Sequence, residues 1–391
     1  MALPPARDLD AARILLTGWL GARLGPSAGD LRLSELSGPP TNGFSNETIV
    51  FDATWATAGG SHEEGFVVRV RPTSHAVFPD DHFDDQYRVM AILDAATDVA
   101  VPAMRWFEPD PSVLGAPFMV MAKVTGEAPG DNPPYTTAGW LLDSTAHQQA
   151  SVWRDGLDQM AAVHRVDWEG LGLGFLGADT ALDPEMASMG GPGTPGRARV
   201  DGPGLPARRL AEMEAYLAWA GDGGSHPVPE AAVDWLGQHV PESSAPATLC
   251  WGDSRIGNQL FADHRVQAVL DWEMVHIGDP LWDLAWFIWM DRHHSEGCGA
   301  PRIPGFDTYD DTVNRWEDRT GRTADAMQWW LVLAGLGFAS VMVRLAQLLV
   351  EFEFFPPGSD FAHTNTGVTF LAAELDHIGE TFSRGRGRCW R

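Results

Sequence analysis

Lysine is almost missing from this chain: Lys123 is the only one in 391 residues. Nearly all cationic chemistry therefore falls to arginine, whose planar guanidinium grips anions as a fork rather than as a point charge. Cysteine is scarce as well. Cys250, Cys298 and Cys389 are too few and too scattered for a disulfide framework or a zinc site, and this points to a reducing, cytoplasmic setting. Positive charge is in deficit, with 53 acidic against 27 basic residues and a formal charge of −26. Such a surface repels nucleic acid and anionic membranes, so neither is an expected partner. Any anionic ligand must find its positive charge locally, on Arg side chains, backbone N–H groups or a bound metal. Long apolar runs are absent too. The longest, Trp329 to Val343, stops short of the roughly 18 residues of a membrane span and is followed by Arg344. It reads as a buried helix. Met1 to Asp8 lacks the basic-then-apolar order of a secretory signal, and no internal repeat is visible.

What is present suffices for a large core. An apolar fraction of 44% is ordinary for a globular protein, and 391 residues favour two domains. Asp8 to Leu24 carries apolar residues at helical spacing and predicts a leading amphipathic helix. A turn-rich stretch, Ser37 to Asn46, precedes E-T-I-V-F-D-A-T-W with strand alternation. Gly65 to Val70 is a second β-rich run, Asp84 to Ala95 is helical, and Val113 to Val124 holds a third strand. Strands around one helix predict a small α+β lobe over residues 1–122. Residues 123–391 predict a larger, mainly helical lobe. Its helices are expected at Ser151–Val166, Ala207–Ala220, Pro229–Val240, Leu281–Met290, Tyr309–Arg319, Ala324–Val350 and Thr366–Ser383. Short strands interrupt it between Thr248 and Asp271. Ala178 to Pro206 is Gly- and Pro-rich and reads as a long surface loop.

The chemistry concentrates between Trp251 and Asp283, in W-G-D-S-R-I-G-N, then L-D-W-E, then G-D-P-L-W-D-L-A. Phosphoryl transfer needs one carboxylate at the acceptor hydroxyl, plus an amide and a second carboxylate to hold the metal that bridges the nucleotide phosphates. Asp253, exposed at a strand end after Gly252, is the expected catalytic residue and accepts or orients the acceptor's proton. A lone Asp there would more often cap a loop; its spacing to Asn258 and Asp271 carries the catalytic reading. Asn258 and Asp271 are the expected Mg²⁺ ligands, because that ion prefers hard oxygens. Arg255 is read as stabilising the transferring phosphoryl group, the alternative being an Arg paired with a nearby acid. Asp279 and Asp283 open a helix whose N-terminus favours carboxylates. Asp283 is assigned to structural support, bonding the loop backbone, and the Trp-rich helix after it is read as core. In the small lobe, Ser45 and Asn46 of G-F-S-N are placed over the phosphates through backbone N–H groups, and Arg69 reaches toward them from its strand. His164 reads as a helix-end or core histidine, and His293-His294 as an isolated pair.

These motifs resemble the aminoglycoside-phosphotransferase and choline-kinase-like family, relatives of the protein kinases. The family's H-G-D-x-x-x-x-N loop is matched by Trp251-Gly252-Asp253 through Asn258, its metal Asp by Asp271, and its G-D-P-x-x-D-L-A by Gly278 to Ala285. The likeness runs from about Leu33 to the last helices. Trp in place of the loop His, followed by L-D-W-E, is similar to the branch related to the phosphotransferase half of some acyl-CoA dehydrogenase fusions. The resemblance implies a two-lobed, protein-kinase-like α+β fold with ATP (or GTP) between the lobes and a hinge near Met121 and Lys123 that holds the base. It also implies Mg²⁺-dependent transfer of the γ-phosphate to a hydroxyl of a small molecule. That acceptor would be an aminoglycoside-like antibiotic, or a hydroxy acid or hydroxyacyl metabolite. The family's strand lysine has no counterpart; Arg69 falls where it belongs, and its usual Glu partner aligns near Gln86, beside Asp85. An Arg–Gln pair lacks the ion-pair character of Lys–Glu. A second reading therefore stands beside the first, a nucleotide-binding pseudokinase or scaffold without efficient turnover. A metal-dependent hydrolase would need a denser His/Asp cluster.

Overall fold

The computed structural model describes residues 7–38, 47–73, 76–79, 82–177, 204–242 and 245–383. Two compact units result: Met1–Ala95 with Val101–Thr125, and Ala96–Ala100 with Gly126–Arg391. The first extends slightly past the expected end at 122 because strand pairing does, with Lys123 N donating to Gly65 O at 2.8 Å. Residues 96–100 group with the second because Val269 N donates to Ala100 O and Ala100 N donates to Gln159 Oε1.

In the first unit Asp8 caps helix α1 (Leu9–Leu24) by accepting from Ala11 N, and Gly25 ends it at φ 81°. Five strands follow, β1 (Gly29–Leu33), β2 (Glu47–Thr57), β3 (Gly60–Val70), β4 (Met104–Glu108) and β5 (Phe118–Ala122), with helix α2 (Phe83–Ala96) between β3 and β4. They form one antiparallel sheet in the order β1-β2-β3-β5-β4. Alternate residues point one way in a strand. Ile49, Phe51 and Ala53 of β2, Phe66, Val68 and Val70 of β3, and Phe118 and Val120 of β5 thus share a core with Leu16 and Leu20 of α1. Full burial of each such Leu, Val or Phe contributes about 1.5–3 kcal/mol. The edge strands β1 and β4 were not anticipated. Each is five residues long and half-exposed, too short and too irregularly buried to print an alternation in the sequence.

The second unit is built on helices α3 (Ala146–Val163), α4 (Leu205–Gly221), α5 (Pro227–Gln238), α6 (Leu281–Arg292), α7 (Tyr309–Thr320), α8 (Met327–Glu351) and α9 (Thr366–Ser383). Of the expected loop over Ala178–Pro206, residues 178–203 lie outside the described residues, and Leu205 and Pro206 begin α4. Helix α3 starts with a reciprocal capping box between Thr145 and Gln148. Every residue of α6 is buried, as expected of a helix that is apolar all round. Its partner α8 is long and apolar enough to cross a membrane, but 67% of its most apolar window is buried, so it is a core helix. Glycines let the two helices approach: a Cβ on Gly337 would lie 2.8 Å from the Trp282 ring and 3.1 Å from the Trp286 ring. Two small ladders complete the unit. Strands β6 (Thr248–Cys250) and β9 (His276–Gly278) pair antiparallel, as do β7 (Gln259–Ala262) and β8 (Arg265–Val269). Asp263 and His264, at φ 50° and 61°, make the tight turn joining β7 to β8. The α+β division expected from the sequence is therefore the observed one. Cys250 is free and buried, and Cys298 is free and exposed.

Candidate active site

The pairing of Cys250 with His276 brings the end of β6 beside β9, and Trp251 leaves from there. Gly252 turns at φ 98°, and an added Cβ would sit 2.2 Å from the Met274 carbonyl oxygen. Only glycine fits. From the first turn of α6, the fully buried Asp283 accepts from Trp251 N at 2.6 Å and Gly252 N at 2.9 Å. A third donor is His164 Nε2 at 2.9 Å. The indole of Trp316, which can only donate, faces His164 Nδ1 at 2.9 Å; Nδ1 is thus the acceptor and Nε2 carries the proton. Burial pushes the Asp283 carboxyl up, but His164, His276 and the Gly252 N–H together outweigh it and hold it below the usual range. Two further bonds fix the loop, Trp282 Nε1 to Gly252 O at 3.0 Å and Ser254 Oγ to Asp283 O at 2.7 Å. Trp251 ties it to the neighbouring ladder, since its indole donates to Leu270 O at 2.8 Å. Leu270 immediately precedes Asp271.

Asp253 projects from this frame. Asn258 Nδ2 donates to its Oδ2 at 2.6 Å, Trp286 Nε1 to its Oδ1 at 2.7 Å, and Arg255 Nε lies 3.3 Å away. Leu270 N donates to Asn258 O at 2.8 Å, so the backbone bond that starts the β7–β8 ladder sets Asn258 next to the residue before Asp271. Asp271 itself sits at φ 60°. That left-handed conformation is costly for most side chains, is best tolerated by Gly, Asn and Asp, and concentrates at functional sites. Among the described residues no cluster of three or more His, Cys, Asp or Glu could cage a metal. Mg²⁺ needs no such cage, because it keeps waters and takes one or two protein oxygens plus substrate phosphates.

Arg255 is held on two sides. Its Nη1 donates to Asp131 while its Nε faces Asp253. Burial pulls the guanidinium down, but these two carboxylates keep it firmly protonated. Asp131 is likewise pushed up by burial and held well below the usual carboxylate range by Arg255 and His294. His294 Nε2 lies 3.2 Å from Asp131 and its Nδ1 lies 2.7 Å from Met290 O. His294 belongs to a π-helical turn, His293–Gly297, that follows α6. Burial pushes its neighbour His293 down to about 3. A small cavity here is lined by Asp131, Tyr135, Trp153, Phe287, Met290 and His294 among others. Asp131 had no signature in the sequence, His293-His294 was read as an isolated pair although His294 meets Asp131, and Trp286 was read only as core.

In the first unit, Arg69 lies on β3 opposite Thr48 and Met119, and Gln86 is buried on α2. Met121 is buried on β5 opposite Val67. Lys123 Nζ bonds both oxygens of Asp52, at 2.9 and 3.1 Å, and its stem covers Gly65. Ser45 and Asn46 lie outside the described residues.

Comparison with known proteins identifies the family and the fold. The family model described as the phosphotransferase enzyme family matches residues 39–317. The chain is 24% identical over 326 residues to Arabidopsis thaliana IBR3, a protein assigned as an acyl-CoA dehydrogenase; the match covers 76% of this chain and 36% of that protein. The chain thus spans about a third of that relative's length. A solved structure from Ralstonia eutropha, provisionally assigned as an aminoglycoside phosphotransferase, superposes with a TM-score of 0.63 at 22% identity, covering 92% of this chain and 98% of that one. A thermostable mutant of aminoglycoside phosphotransferase APH(4)-Ia, solved with AMP-PNP and hygromycin B, superposes at 0.52 with 17% identity, covering 95% and 99%. At these identities the structural likeness shows the two-lobed, kinase-like fold.

Proposed function

The chain belongs to the phosphotransferase enzyme family, and on that premise we propose that it moves the γ-phosphate of ATP to a hydroxyl group of a small molecule, with Mg²⁺ at Asn258 and Asp271. The observation that carries the reading is the constellation around Asp253: a carboxylate anchored at both oxygens, on a loop clamped by Asp283, one ladder from Asp271. In this reading Asp253 orients the acceptor hydroxyl and takes its proton as the oxygen attacks the γ-phosphorus. Asn258 spends its Nδ2 on Asp253, which leaves its Oδ1 for a metal; in this reading the Asp271 carboxylate would be the second protein ligand. A bound Mg²⁺ would supply positive charge to the phosphate oxygens. Arg255, with Nε and Nη1 already engaged, would meet a phosphoryl group only through its remaining N–H groups. The nucleotide contacts of the proposal are Ser45, Asn46, Arg69, Met121 and Lys123. Because Lys123's ammonium is bound to Asp52 and its N–H to Gly65 O, its carbonyl is the part left for the base.

The acceptor belongs to one of two classes. A neighbour in fold holds nucleotide and the antibiotic hygromycin B, whereas a relative in sequence is assigned as an acyl-CoA dehydrogenase. The carboxylate of Asp131 is already engaged by Arg255 and His294, so it is not a ready partner for a polycation. This favours a hydroxy acid or hydroxyacyl compound over an aminoglycoside. ADP release measured over a panel of both classes should find an acceptor for the wild-type chain and none for Asp253→Ala or Asp271→Ala. Activity surviving both substitutions would sink the mechanism. Nucleotide that raises the melting temperature without any turnover would support binding without catalysis.

A further inference from the structure

We infer that Trp286 is a positioning residue for the reaction, the side chain that fixes the plane of the Asp253 carboxylate. The inference rests on the phosphotransfer reading above. The terminal torsion of an Asp side chain is broad and roughly two-fold, so one donor on one oxygen leaves the carboxylate free to swing. Asp253 has a close donor on each, Asn258 Nδ2 on Oδ2 at 2.6 Å and Trp286 Nε1 on Oδ1 at 2.7 Å, with Arg255 Nε farther off at 3.3 Å. Together they pin it. The two anchors are independent, because Asn258 comes from the loop itself and Trp286 from α6. Asn258 also has a second duty in the proposed site, holding the metal, and the indole has none. An indole is a neutral, donor-only group. It can therefore orient the carboxylate without adding the positive charge that another Arg would bring.

The placement of Trp286 is built into one face of α6. Trp282 and Trp286 are one helical turn apart, their rings 5.1 Å apart at an interplanar angle of 32°. Trp282 holds the Gly252 carbonyl, Asp283 the two N–H groups before Asp253, and Trp286 the Asp253 carboxylate. A single turn of helix therefore fixes both the backbone of the loop and the side chain it presents. The ring of Trp286 packs edge-on to Phe338 and over Gly337, where a Cβ would come within 3.1 Å. The indole has little room to rotate away.

Trp286→Phe keeps the ring and removes the donor. The expected result is a kcat lower by roughly ten- to a hundredfold, the scale of an ångström-level misplacement. The KM for nucleotide should stay within about twofold and the melting temperature within a few degrees, because the variant still packs. An unchanged kcat would overturn the inference, as would a kcat that falls only in step with a collapse in stability. A second measurement does not depend on turnover. The Trp286 indole N–H signal, identified by its loss in Trp286→Phe, should shift clearly in Asp253→Ala while that of Trp329, bonded to Leu236 O, stays in place. If Trp286's signal ignores Asp253→Ala, the bond is absent and the inference fails. A wild-type chain without turnover counts against the phosphotransfer reading, and the indole signal still decides the contact.

Discussion

Asp283 touches no reacting group in the proposed mechanism, yet losing it should cost more stability than losing Asp253. It is completely buried and answers three donors, two loop N–H groups and His164. Asp283→Ala leaves all three without an acceptor, a loss of about 3–5 kcal/mol, which urea unfolding would register; a loss under about 1 kcal/mol would show that water or a shifted loop replaces the carboxylate. Acid should act on the same unit. Burial pushes His276 down to about 4 and His293 down to about 3, against about 6.5 for the unfolded chain. Between these values the unfolded state binds protons that the folded state refuses, so stability falls as pH drops below about 6.5. Each imidazole contributes at most ~1.4 kcal/mol per pH unit. The depressed Asp283 adds its own loss only below the ordinary carboxylate range. Melting temperature followed from pH 7 down should decline early, and His276→Gln with His293→Gln should flatten that part of the curve; an unaltered slope would place the acid sensitivity elsewhere. At this scale the sequence was legible where chemistry is local. Asp253 and Asn258 sit on one loop and announce themselves by spacing. Asp131 and Trp286 meet that loop, and His294 meets Asp131, from elements distant in sequence; the His pair and the Trp-rich helix were visible, but nothing in their own neighbourhoods names these partners.

The first two turns of α6 do the positioning, and their setting depends on close helix packing. Gly337 on α8 faces both Trp282 and Trp286, so Gly337→Leu should force the rings apart. The expected cost is ~1–3 kcal/mol, with a larger proportional fall in kcat than in stability, because both rings carry bonds to the catalytic loop. A variant that loses stability but keeps full kcat would separate the packing from the site. Elements with long apolar periodicity were readable from the residues alone. The last helix runs Thr366–Ser383 as expected, and the apolar run in α8 is buried as expected. Strands β1, β4 and β9 were not, because three to five residues carry too few alternations to stand out. The π-turn at His293–Gly297 was invisible for a different reason: its backbone bonding follows from what α6 packs against, and no residue preference encodes it.

At the level of the whole molecule, a chain with a formal charge of −26 has to assemble a site for an anion. In the proposed site Arg255 is already divided between Asp131 and Asp253. The remaining burden would fall on a bound cation and on backbone N–H groups, which is why the proposal gives Asn258 and Asp271 more weight than surface charge. The two-lobed fold was legible because the Trp251–Asn258 loop, Asp271 and the G-D-P-L-W-D-L-A segment occur together in the family's order. The acceptor was not, because no motif in the chain names one; even the small cavity beside Arg255 is lined by residues scattered between Asp131 and His294. The central claim, that Asp253, Asn258 and Asp271 form a phosphoryl-transfer centre, is tested most directly by following the labelled γ-phosphate of ATP in the presence of Mg²⁺. The account predicts label on a hydroxyl acceptor with the wild-type chain, and a loss of about 10²–10⁴-fold or more in Asp253→Asn while nucleotide still binds. Label transferred at the wild-type rate by Asp253→Asn would contradict it.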